Sequence, residues 1–456
     1  MRLPKSPPDY ADLITSIKPD RLLAIMAAGI GRIPRDEYLH WDRMRYKIAP
    51  EGFTNEEWWL ATKLSRGSVG HPLPFFDKLG RPFSFTEYPS LYRQLHQIDR
   101  RASGHIEVPV ADMANKGTRE RYVMRSLVEE AITSSQLEGA ATTRIVAKEM
   151  LRTGRSPRDT SEQMIVNNYH AMEFIRDISG EDLTEAMLFE LQRIVTEKTL
   201  PASSVGRFRR PRDTVHVVDT EDNIIHTPPA AKELDTRVAR LLAFANTQDE
   251  EHFIHPVVRA ILLHFMIGYD HPFVDGNGRT ARALFYWSMA RSGYWLMEFI
   301  SISRFIRKSY ASYARAYLYS ENDDNDVTYF LNYNLRIVKQ CIDDLHLYLA
   351  RKLNETRRLE HMFSERNLAR HLNHRQQALL AHMVKHPQTV YTIEAHRRSN
   401  NVSYHTARKD LDDLAQLELL TGTTQRGRKL LFTMNPRFSD NLARYRRTAR
   451  LIQWHP

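Results

Sequence analysis

The chain has 456 residues, a net charge of +10 and 42% hydrophobic residues. This length predicts about three domains, and the hydrophobic share, with six Trp and twenty Tyr, excludes a disordered chain. No apolar run approaches the roughly 20 residues of a membrane span, and the start of the chain has no signal-peptide pattern. We therefore expect a cytoplasmic protein without a membrane partner. The single cysteine, Cys341, has no partner for an internal disulfide, which fits a reducing compartment.

The first 95 residues are punctuated by proline and tryptophan and carry no chemical signature. We predict a helix from Tyr10 to Ala28 and irregular structure from Ser65 to Tyr88, where glycine and proline are frequent. The tryptophan pair Trp58 and Trp59 is more typical of a core anchor than of a binding platform. Residues 1–95 are thus predicted to pack on a larger body.

A helix is predicted from about Lys116 to Leu137, because its apolar residues recur at helical spacing. Gly139 follows at the place expected for a helix end. Ser134 and Glu138 are four residues apart and share one face of the helix. This arrangement fits an ordinary helix end, but a carboxylate at this position is unfavourable against the helix dipole, which draws attention to Glu138.

Further helices are predicted over Glu162–Ile178 and Leu183–Glu197, and then the pattern changes to short β-type runs. The runs Thr214–Val218 and Asn223–His226 predict a β-hairpin. Its exposed edge could accept an extended peptide as an additional strand.

The helices Ala231–Ala245 and His255–Tyr269 follow, and the second is apolar on most of its circumference, as in the centre of a bundle. After the polar stretch His271–Arg282, an apolar helix is predicted from Ala283 to Arg291. A tyrosine-rich helix, Arg304–Tyr319, and a long helix from Asp326 to about Glu365 complete a nearly all-helical region.

The stretch His271–Arg282 combines groups that packing alone does not require. Gly276–Asn277–Gly278 can turn backbone N–H groups inward beside a helix N-terminus, which makes an anion site. Arg279 and Arg282 share a face and can bind phosphate oxygens. Asp275 is a suitable Mg²⁺ ligand, and His271 can accept a proton near neutral pH.

Each residue of this stretch also has an ordinary explanation. A histidine near a helix end is most often a cap or a core residue, Gly-Asn-Gly is most often a turn, and paired arginines are usually solvated. His271 and Asp275 could instead bind a transition metal, although no third His or Cys lies at a usual spacing. The combination within twelve residues favours a polyphosphate site with a base, and hence phosphoryl or nucleotidyl transfer.

This stretch resembles the HPFxxGNGRxxR signature of Fic domains, with Asp275 at the metal position. The resemblance covers about residues 120–345 and implies AMP transfer from ATP to a Ser, Thr or Tyr hydroxyl of a protein, including the enzyme itself. It implies that His271 is the base and that Asp275 holds Mg²⁺. The nucleotide-binding residues it implies are Phe273, Gly276, Asn277, Gly278, Arg279 and Arg282. The tyrosine-rich segment Tyr310–Tyr319 should supply adenine contacts.

Two further segments resemble parts of Fic proteins. Gly206–Arg209, with the hairpin that follows, is similar to the flap, which implies that Thr214, Val215, His216 and Val217 dock the target. Ser134, Glu138 and Gly139 resemble the inhibitory helix motif, which implies that Glu138 pairs with Arg282 and displaces the γ-phosphate. In some relatives this glutamate supports AMP removal. The related Doc proteins replace the second glycine, so Gly278 favours AMP transfer.

The C-terminal part has a different pattern. Three predicted helices, Gln376–His386, Thr392–Arg398 and one capped by Ser403, precede strands Leu420–Thr424 and Lys429–Thr433. This order is typical of a winged helix-turn-helix, and residues 396–456 hold twelve Arg and Lys against five Asp and Glu. DNA binding and protein contact remain open. The candidate DNA-binding residues are Tyr404, His405, Arg408 and Lys409 on the recognition helix and Arg426, Arg428 and Lys429 on the wing.

Together these patterns predict a mainly α protein, with a Fic helical bundle, a small hairpin flap and a C-terminal winged-helix domain. The expected function is an autoinhibited protein adenylyltransferase that uses ATP and Mg²⁺. Two alternatives remain, a DNA-binding regulator that senses nucleotide and a Fic-type transferase of another phosphate-containing group. A homodimer is also open. The predicted parts are residues 1–95, the Fic domain at 96–350 with the inhibitory helix 116–139 and flap 206–229, a linker helix at 351–374, the winged helix at 375–435 and a basic tail at 436–456.

Overall fold

The structure is a computed structural model that describes residues 2–32, 37–102, 116–218, 221–247, 253–364, 372–385, 389–424, 430–438 and 440–441. The chain divides into two compact units, residues 1–346 and 347–456. Among the described helices, none combines the length and the apolar character needed to cross a membrane.

The N-terminal region begins with two helices where the sequence predicts one. Helix α1 covers Tyr10–Ser16 and α2 covers Pro19–Ala27. Lys18 between them is extended, since the residue before a proline disfavours helical backbone. The region continues with α3 (Trp41–Met44) and α4 (Asn55–Gly67). Trp59 is 1% exposed in the core, as expected of an anchor.

The prediction of irregular structure from Ser65 to Tyr88 is wrong. Strands β1 (Gly70–Phe76) and β2 (Pro82–Thr86) form an antiparallel hairpin. Prolines are tolerated in this two-stranded sheet because an edge strand need not donate every ladder hydrogen bond. The buried residues alternate along both strands, and these are Leu73, Phe75, Phe83 and Phe85.

The central part of the first unit is helical. Its helices are α5 (Pro89–Ala102), α6 (Lys116–Leu137), α7 (Arg144–Thr153), α8 (Thr160–Asp177), α9 (Glu185–Thr196), α10 (Leu234–Asn246), α11 (Pro256–Asp270), α12 (Asn277–Arg291), α13 (Ile302–Lys308) and α14 (Tyr310–Asn322). Helix α15 (Thr328–Ser364) begins in this unit and continues past residue 346. Helices α11 and α12 are buried along most of their length, as the apolar sequence of α11 predicts.

Two boundaries near the polar stretch differ from prediction. Helix α12 begins at Asn277 rather than at Ala283, because Gly276 takes a left-handed backbone with φ of 89° and acts as the N-cap. The hairpin is shorter than predicted, with β3 at Val217–Val218 and β4 at Ile224–His226. Thr214–His216 therefore lie outside the strand.

Helix α6 is anchored by a buried carboxylate. Glu130, 1% exposed, accepts hydrogen bonds from Tyr286 Oη at 3.0 Å and Ser301 Oγ at 2.7 Å. It also accepts one from the Ser303 backbone N–H at 3.2 Å and another from the Ser303 hydroxyl. These bonds tie the middle of α6 to α12 and to the start of α13, and they fix the direction in which its C-terminus points.

The second unit contains α16 (His374–Lys385), β5 (Tyr391–Thr392), α17 (Ile393–Asn400), α18 (Tyr404–Gln416), β6 (Leu420–Thr424) and β7 (Leu430–Met434). Ser403 caps α18 as predicted, since its side chain accepts a hydrogen bond from the Thr406 N–H. The sheet has three strands in the order β5-β7-β6 rather than the two predicted. The difference arises because Tyr391 and Thr392 pair with β7 before the helix begins.

Candidate active site

The predicted base lies at the C-terminal end of α11. His271 caps this helix in a left-handed conformation with φ of 47°, which turns the chain sharply into the polar loop. Its Nδ1 lies 3.1 Å from the carbonyl oxygen of Gly268. Because a carbonyl can only accept, this contact places the ring proton on Nδ1 and leaves Nε2 as the acceptor. Burial lowers the pKa of His271 below 6.5, so the ring is neutral at pH 7.

The turn Gly276–Asn277–Gly278 forms the start of α12. The Asn277 side chain accepts a hydrogen bond from the Phe273 N–H at 2.9 Å and donates one to its carbonyl at 2.8 Å. These two bonds close the loop on itself. The first N–H groups of α12 have no partner within the helix, so the turn offers donors and a positive dipole end to an anion.

Arg282, one turn further along α12, is bound by the end of α6. The guanidinium is 3% exposed and donates from Nη2 to Glu138 Oε1 at 2.8 Å. It also donates from Nε to Ser134 Oγ at 2.9 Å and from Nη2 to the Ser134 carbonyl at 3.1 Å. The Glu138 and Arg282 contact that the motif implies is thus present. Burial would raise the pKa of Glu138, but Arg282 and Arg279 outweigh it and lower the pKa.

Gly278 gives Glu138 the space that it occupies. A side-chain carbon at Gly278 would lie 2.2 Å from Glu138 Oε1 and 3.0 Å from Arg282 Nη1. Such distances are shorter than van der Waals contact, so a larger residue here would displace the carboxylate. The resemblance to Fic proteins implies that Gly278 favours AMP transfer. The structure adds that the absence of a side chain at Gly278 leaves room for the Glu138 carboxylate.

Three predicted site residues support the loop from behind. Arg279, 1% exposed, donates to the Val195 carbonyl at 2.5 Å and to Asp275 Oδ2 at 3.1 Å. Phe273 is fully buried and packs against Phe208, with ring centroids 5.9 Å apart. Arg279, Phe273 and Gly276 do not line the cavity of the active site. The contacts of Arg279 brace the loop, and its binding of phosphate stays a prediction.

The loop, the end of α6, the hairpin and α14 enclose one cavity, here called the active-site cavity. Its volume is about 180 Å³, below the roughly 300–1,000 Å³ of most ligand pockets, and the Glu138 carboxylate projects into it. The loop and α6 contribute Glu138, His271, Asp275, Asn277, Gly278 and Arg282. The hairpin contributes Val217, Ile225 and His226, and α14 contributes Tyr310, Tyr313, Ala314, Tyr317, Leu318 and Glu321.

The tyrosines of α14 lie where the sequence predicts nucleotide contacts. Tyr313 and Tyr317 form an edge-on pair with ring centroids 5.4 Å apart. Gly268 lets the Tyr317 side chain lie close to α11, because a Cβ at this position would be 2.2 Å from the Tyr317 hydroxyl oxygen. An aromatic wall therefore faces the Gly276–Gly278 turn across the cavity.

Only part of the predicted docking strand borders the cavity. Val217 belongs to β3 and lines the cavity, whereas Thr214, Val215 and His216 precede the strand. On the opposite strand, His226 contacts the Tyr269 carbonyl and Glu321 Oε2, both at 2.8 Å. His226 thereby fastens β4 to α11 and α14.

Two positioning residues were not identified from sequence. The Gln192 amide accepts from the Gly206 N–H at 2.6 Å and donates to the Asp275 carbonyl at 3.3 Å. The buried Arg209 donates to the His271 carbonyl at 2.8 Å. Arg209 was visible as part of a motif, but Gln192 lies within a helical pattern with no signal beyond its polarity.

The predicted magnesium ligand is accessible. The Asp275 side chain is 46% exposed and lines the cavity beside the Gly276–Gly278 turn. No group of three or more His, Cys, Asp or Glu suited to a metal occurs in the part of the chain that the structure describes. A single carboxylate fits Mg²⁺, which usually combines one or two carboxylates with water and substrate phosphates, but it does not fit a transition-metal site built from protein ligands.

The candidate DNA-binding residues lie in the second unit. Tyr404, His405, Arg408 and Lys409 are exposed on α18, and Arg408 Nε lies 3.4 Å from Asp412. Arg426, Arg428 and Lys429 lie outside the described residues.

The sequence and the structure of this chain are similar to those of known proteins in the region that contains the His271–Arg282 loop. Residues 182–289 match the Fic/DOC family. A protein named Protein adenylyltransferase Fic from Nematostella vectensis is 28% identical over 204 residues, which are 44% of this chain and 45% of the relative. A protein of the same name from Culex quinquefasciatus is 25% identical over 269 residues, or 58% of this chain and 49% of the relative. The chain thus spans about half the length of these relatives.

The crystal structure of a Fic family protein from Desulfovibrio desulfuricans G20 is similar over 77% of this chain and 98% of that chain, with a TM-score of 0.52 and 17% identity. This likeness confirms the predicted mainly helical Fic fold. The family match includes the turn at His271 and the first part of α12. Residues 182–289 are therefore a Fic domain.

Proposed function

We propose that this protein transfers AMP from ATP to a Ser, Thr or Tyr hydroxyl of a protein, including its own chain. One observation carries the proposal. His271, with Nε2 free to accept a proton, lines the same cavity as the anion-binding turn and Arg282. The names of the relatives point to the same reaction.

The chain supplies a base for the attacking hydroxyl. The hydroxyl proton passes to His271 Nε2 as the oxygen forms a bond to the α-phosphorus of ATP. The bond from that phosphorus to the bridging oxygen breaks, and pyrophosphate leaves with the electron pair. Because the pKa of His271 is lowered, the ring begins the reaction neutral and able to accept the proton.

The phosphates are proposed to bind the first N–H groups of α12 and Arg282. Asp275 would hold Mg²⁺, which neutralises phosphate charge when bound. Phe273, Arg279 and Gln192 contribute by fixing the loop, which keeps its donors oriented before ATP arrives.

Autoinhibition follows from the Glu138 and Arg282 contact. Arg282 is the cation at the inner end of the cavity, and its Nη2 is already bonded to a carboxylate. The γ-phosphate of ATP would meet the negative charge of Glu138 instead of the guanidinium. We therefore propose that ATP binds in a pose unsuited to transfer while Glu138 is in place.

The reaction type is tested with two labels. The purified Glu138→Gly protein is incubated with ATP labelled at the α-phosphate or at the γ-phosphate, and protein-bound label is measured. We expect label only from the α-phosphate, with mass spectrometry showing an added AMP. Label from the γ-phosphate alone would establish transfer of a terminal phosphate and contradict the proposal.

Removal of AMP by the same site is proposed as a second activity, since the Glu138 carboxylate lies in the cavity where it could orient water. AMP-modified Glu138→Gly protein is mixed with wild type or with Glu138→Gln. Loss of AMP with wild type alone is expected. Equal retention in both mixtures would show that Glu138 serves only inhibition.

The second unit supports DNA binding as a further candidate function. Tyr404, His405, Arg408 and Lys409 form an exposed group in the first half of α18, the helix that follows the turn. Binding to duplex DNA should fall steeply with salt and be lost after Arg408→Glu with Lys409→Glu. Binding that survives this double reversal would exclude α18 as the contact.

A further inference from the structure

A second cavity lies behind helix α14 and is here called the rear cavity. Its volume is about 570 Å³, within the roughly 300–1,000 Å³ of small-molecule pockets. Helix α14 borders both cavities with different faces. Tyr310, Tyr313 and Tyr317 face the active-site cavity, whereas Arg315 and Tyr319 face the rear cavity. The two cavities are thus separate and can be altered independently.

The wall of the rear cavity is strongly cationic. Among the described lining residues, the only acid is Glu37, and it pairs with Lys47 outside the cavity. The cations that line the cavity are Arg43, Arg93, Arg315, Arg336 and Lys339, of which Lys339 also pairs with Asp343 outside the lining, at 3.7 Å. They come from the N-terminal region, α5, α14 and α15, so the fold brings them together from distant parts of the sequence.

The floor of the rear cavity is rigid and aromatic. The Tyr38 ring lies under the Arg66 guanidinium at 3.7 Å, and its hydroxyl contacts Asp326 and Thr86. His40 stacks on Tyr319 with ring centroids 4.1 Å apart and planes 10° from parallel. Such contacts hold the lining side chains before any ligand arrives, which lowers the entropy cost of binding.

Burial lowers the pKa of His40 to about 4, so this ring adds no charge near neutral pH. The positive charge of the cavity therefore comes chiefly from its guanidinium groups, since the Lys339 ammonium pairs with Asp343. The planar guanidinium of arginine suits oxyanions such as phosphate, which it can contact through two parallel hydrogen bonds.

From this geometry we propose that the rear cavity binds a phosphorylated small molecule that carries at least two phosphate charges. A singly charged anion would match only part of the charge of the three guanidinium groups of Arg43, Arg315 and Arg336, and the cavity volume suits a ligand of nucleoside diphosphate size. Aromatic rings beside the cations could also receive a base. The shared chemistry is the diphosphate group, whether it comes from a free polyphosphate or from a nucleotide.

The full chain is tested by calorimetric titration with inorganic pyrophosphate and, separately, with ADP. All proteins carry Arg282→Gln to weaken binding at the active site. The rear-cavity variant adds Arg315→Gln and Arg336→Gln. Its matched control adds Arg152→Gln and Arg193→Gln, which remove the same charge from exposed positions outside both cavities.

The rear-cavity variant should bind pyrophosphate at least about tenfold more weakly than the control, since charged hydrogen bonds are lost. If ADP binds more tightly than pyrophosphate, and the rear-cavity variant weakens both to the same extent, the ligand is a nucleotide. If the two bind equally, the ligand is a free polyphosphate. Equal affinities of the variant and the control, with both melting at the temperature of the Arg282→Gln parent, would overturn the proposal. Because active-site labelling is measured separately, this result leaves the proposed AMP transfer untouched.

Discussion

The polar loop His271–Arg282 and the end of helix α6 meet in one cavity but are held in different ways. The loop is fixed from behind, through the paired hydrogen bonds of Asn277, the contact of Arg279 with Val195 and the contact of Arg209 with His271. The Glu138 carboxylate is held by its ion pair with Arg282, and the Glu138 side chain is 30% exposed. The proposed reactive groups are thus built into the core, whereas the proposed obstruction, Glu138, is a single side chain at a helix end.

This difference indicates which substitutions the site should tolerate. Gly139, with φ of 94°, ends α6 directly after Glu138, so the carboxylate is not part of a regular helix. The helix itself stays anchored by Glu130 further back. Removing Glu138 should therefore open the site without loosening the loop, and removing a loop residue should disable the reaction with the obstruction still in place.

The largest effect is expected from loss of the base. In the Glu138→Gly background, His271→Ala should reduce incorporation of α-labelled AMP by at least about 100-fold, because the variant lacks the proposed base for the hydroxyl proton. The control is His170→Ala, an exposed histidine outside the cavity. Equal labelling of the two histidine variants would remove His271 from the mechanism.

Loss of the obstruction should have the next largest effect. Glu138→Gly should raise self-labelling by about 10- to 100-fold, because Arg282 is freed to make charged hydrogen bonds with the γ-phosphate. Glu173→Gly is the matched control, since its side chain is 35% exposed and lies on helix α8 away from the cavity. No rise over this control would contradict autoinhibition by Glu138.

Weakening the contact between Arg282 and the end of α6 should also raise self-labelling, but by less than the loss of Glu138. Ser134→Ala removes the hydroxyl that accepts from Arg282 Nε but keeps Glu138. One hydrogen bond less corresponds to a rise in labelling of about 2- to 10-fold. The neighbouring Ser135→Ala is the control, because that hydroxyl donates to the Met164 carbonyl and not toward Arg282. A larger rise than that of Glu138→Gly would reverse the proposed order.

The smallest effect is the shift of a pH profile. The proposed transfer needs neutral His271, and burial lowers its pKa, so the rate should decline toward acid with a midpoint below pH 6.5. The nearby negative charge of Glu138 raises this pKa, and its removal in Glu138→Gly should lower the pKa further. The rate of AMP labelling is followed from pH 8 to pH 5 in a constant ionic strength buffer. A midpoint at or above 6.5 would contradict the buried, neutral base.

Local patterns in the sequence predicted most of the helices and the chemistry of the loop. The apolar period of α11 required burial, and the grouping of His271, Asp275 and the Gly276–Gly278 turn indicated a base beside an anion site. The sequence does not predict the β1–β2 hairpin, because Pro72 and Pro74 interrupt a strand pattern, although the apolar residues Leu73 and Phe75 alternate with them. The start of α12 was placed late because its polar first turn has no apolar period.

By itself the sequence determined the identities and spacing of the reactive groups, the helical character of the first unit and the motif that pairs Glu138 with Arg282. Tertiary structure alone decided what those groups face. It turned Arg279 inward to Val195, placed Gly278 against Glu138 and gathered the cations of the rear cavity from four separate segments. The reason is physical: periodicity reports which face of an element is buried, whereas contacts between distant segments depend on how those buried faces pack together.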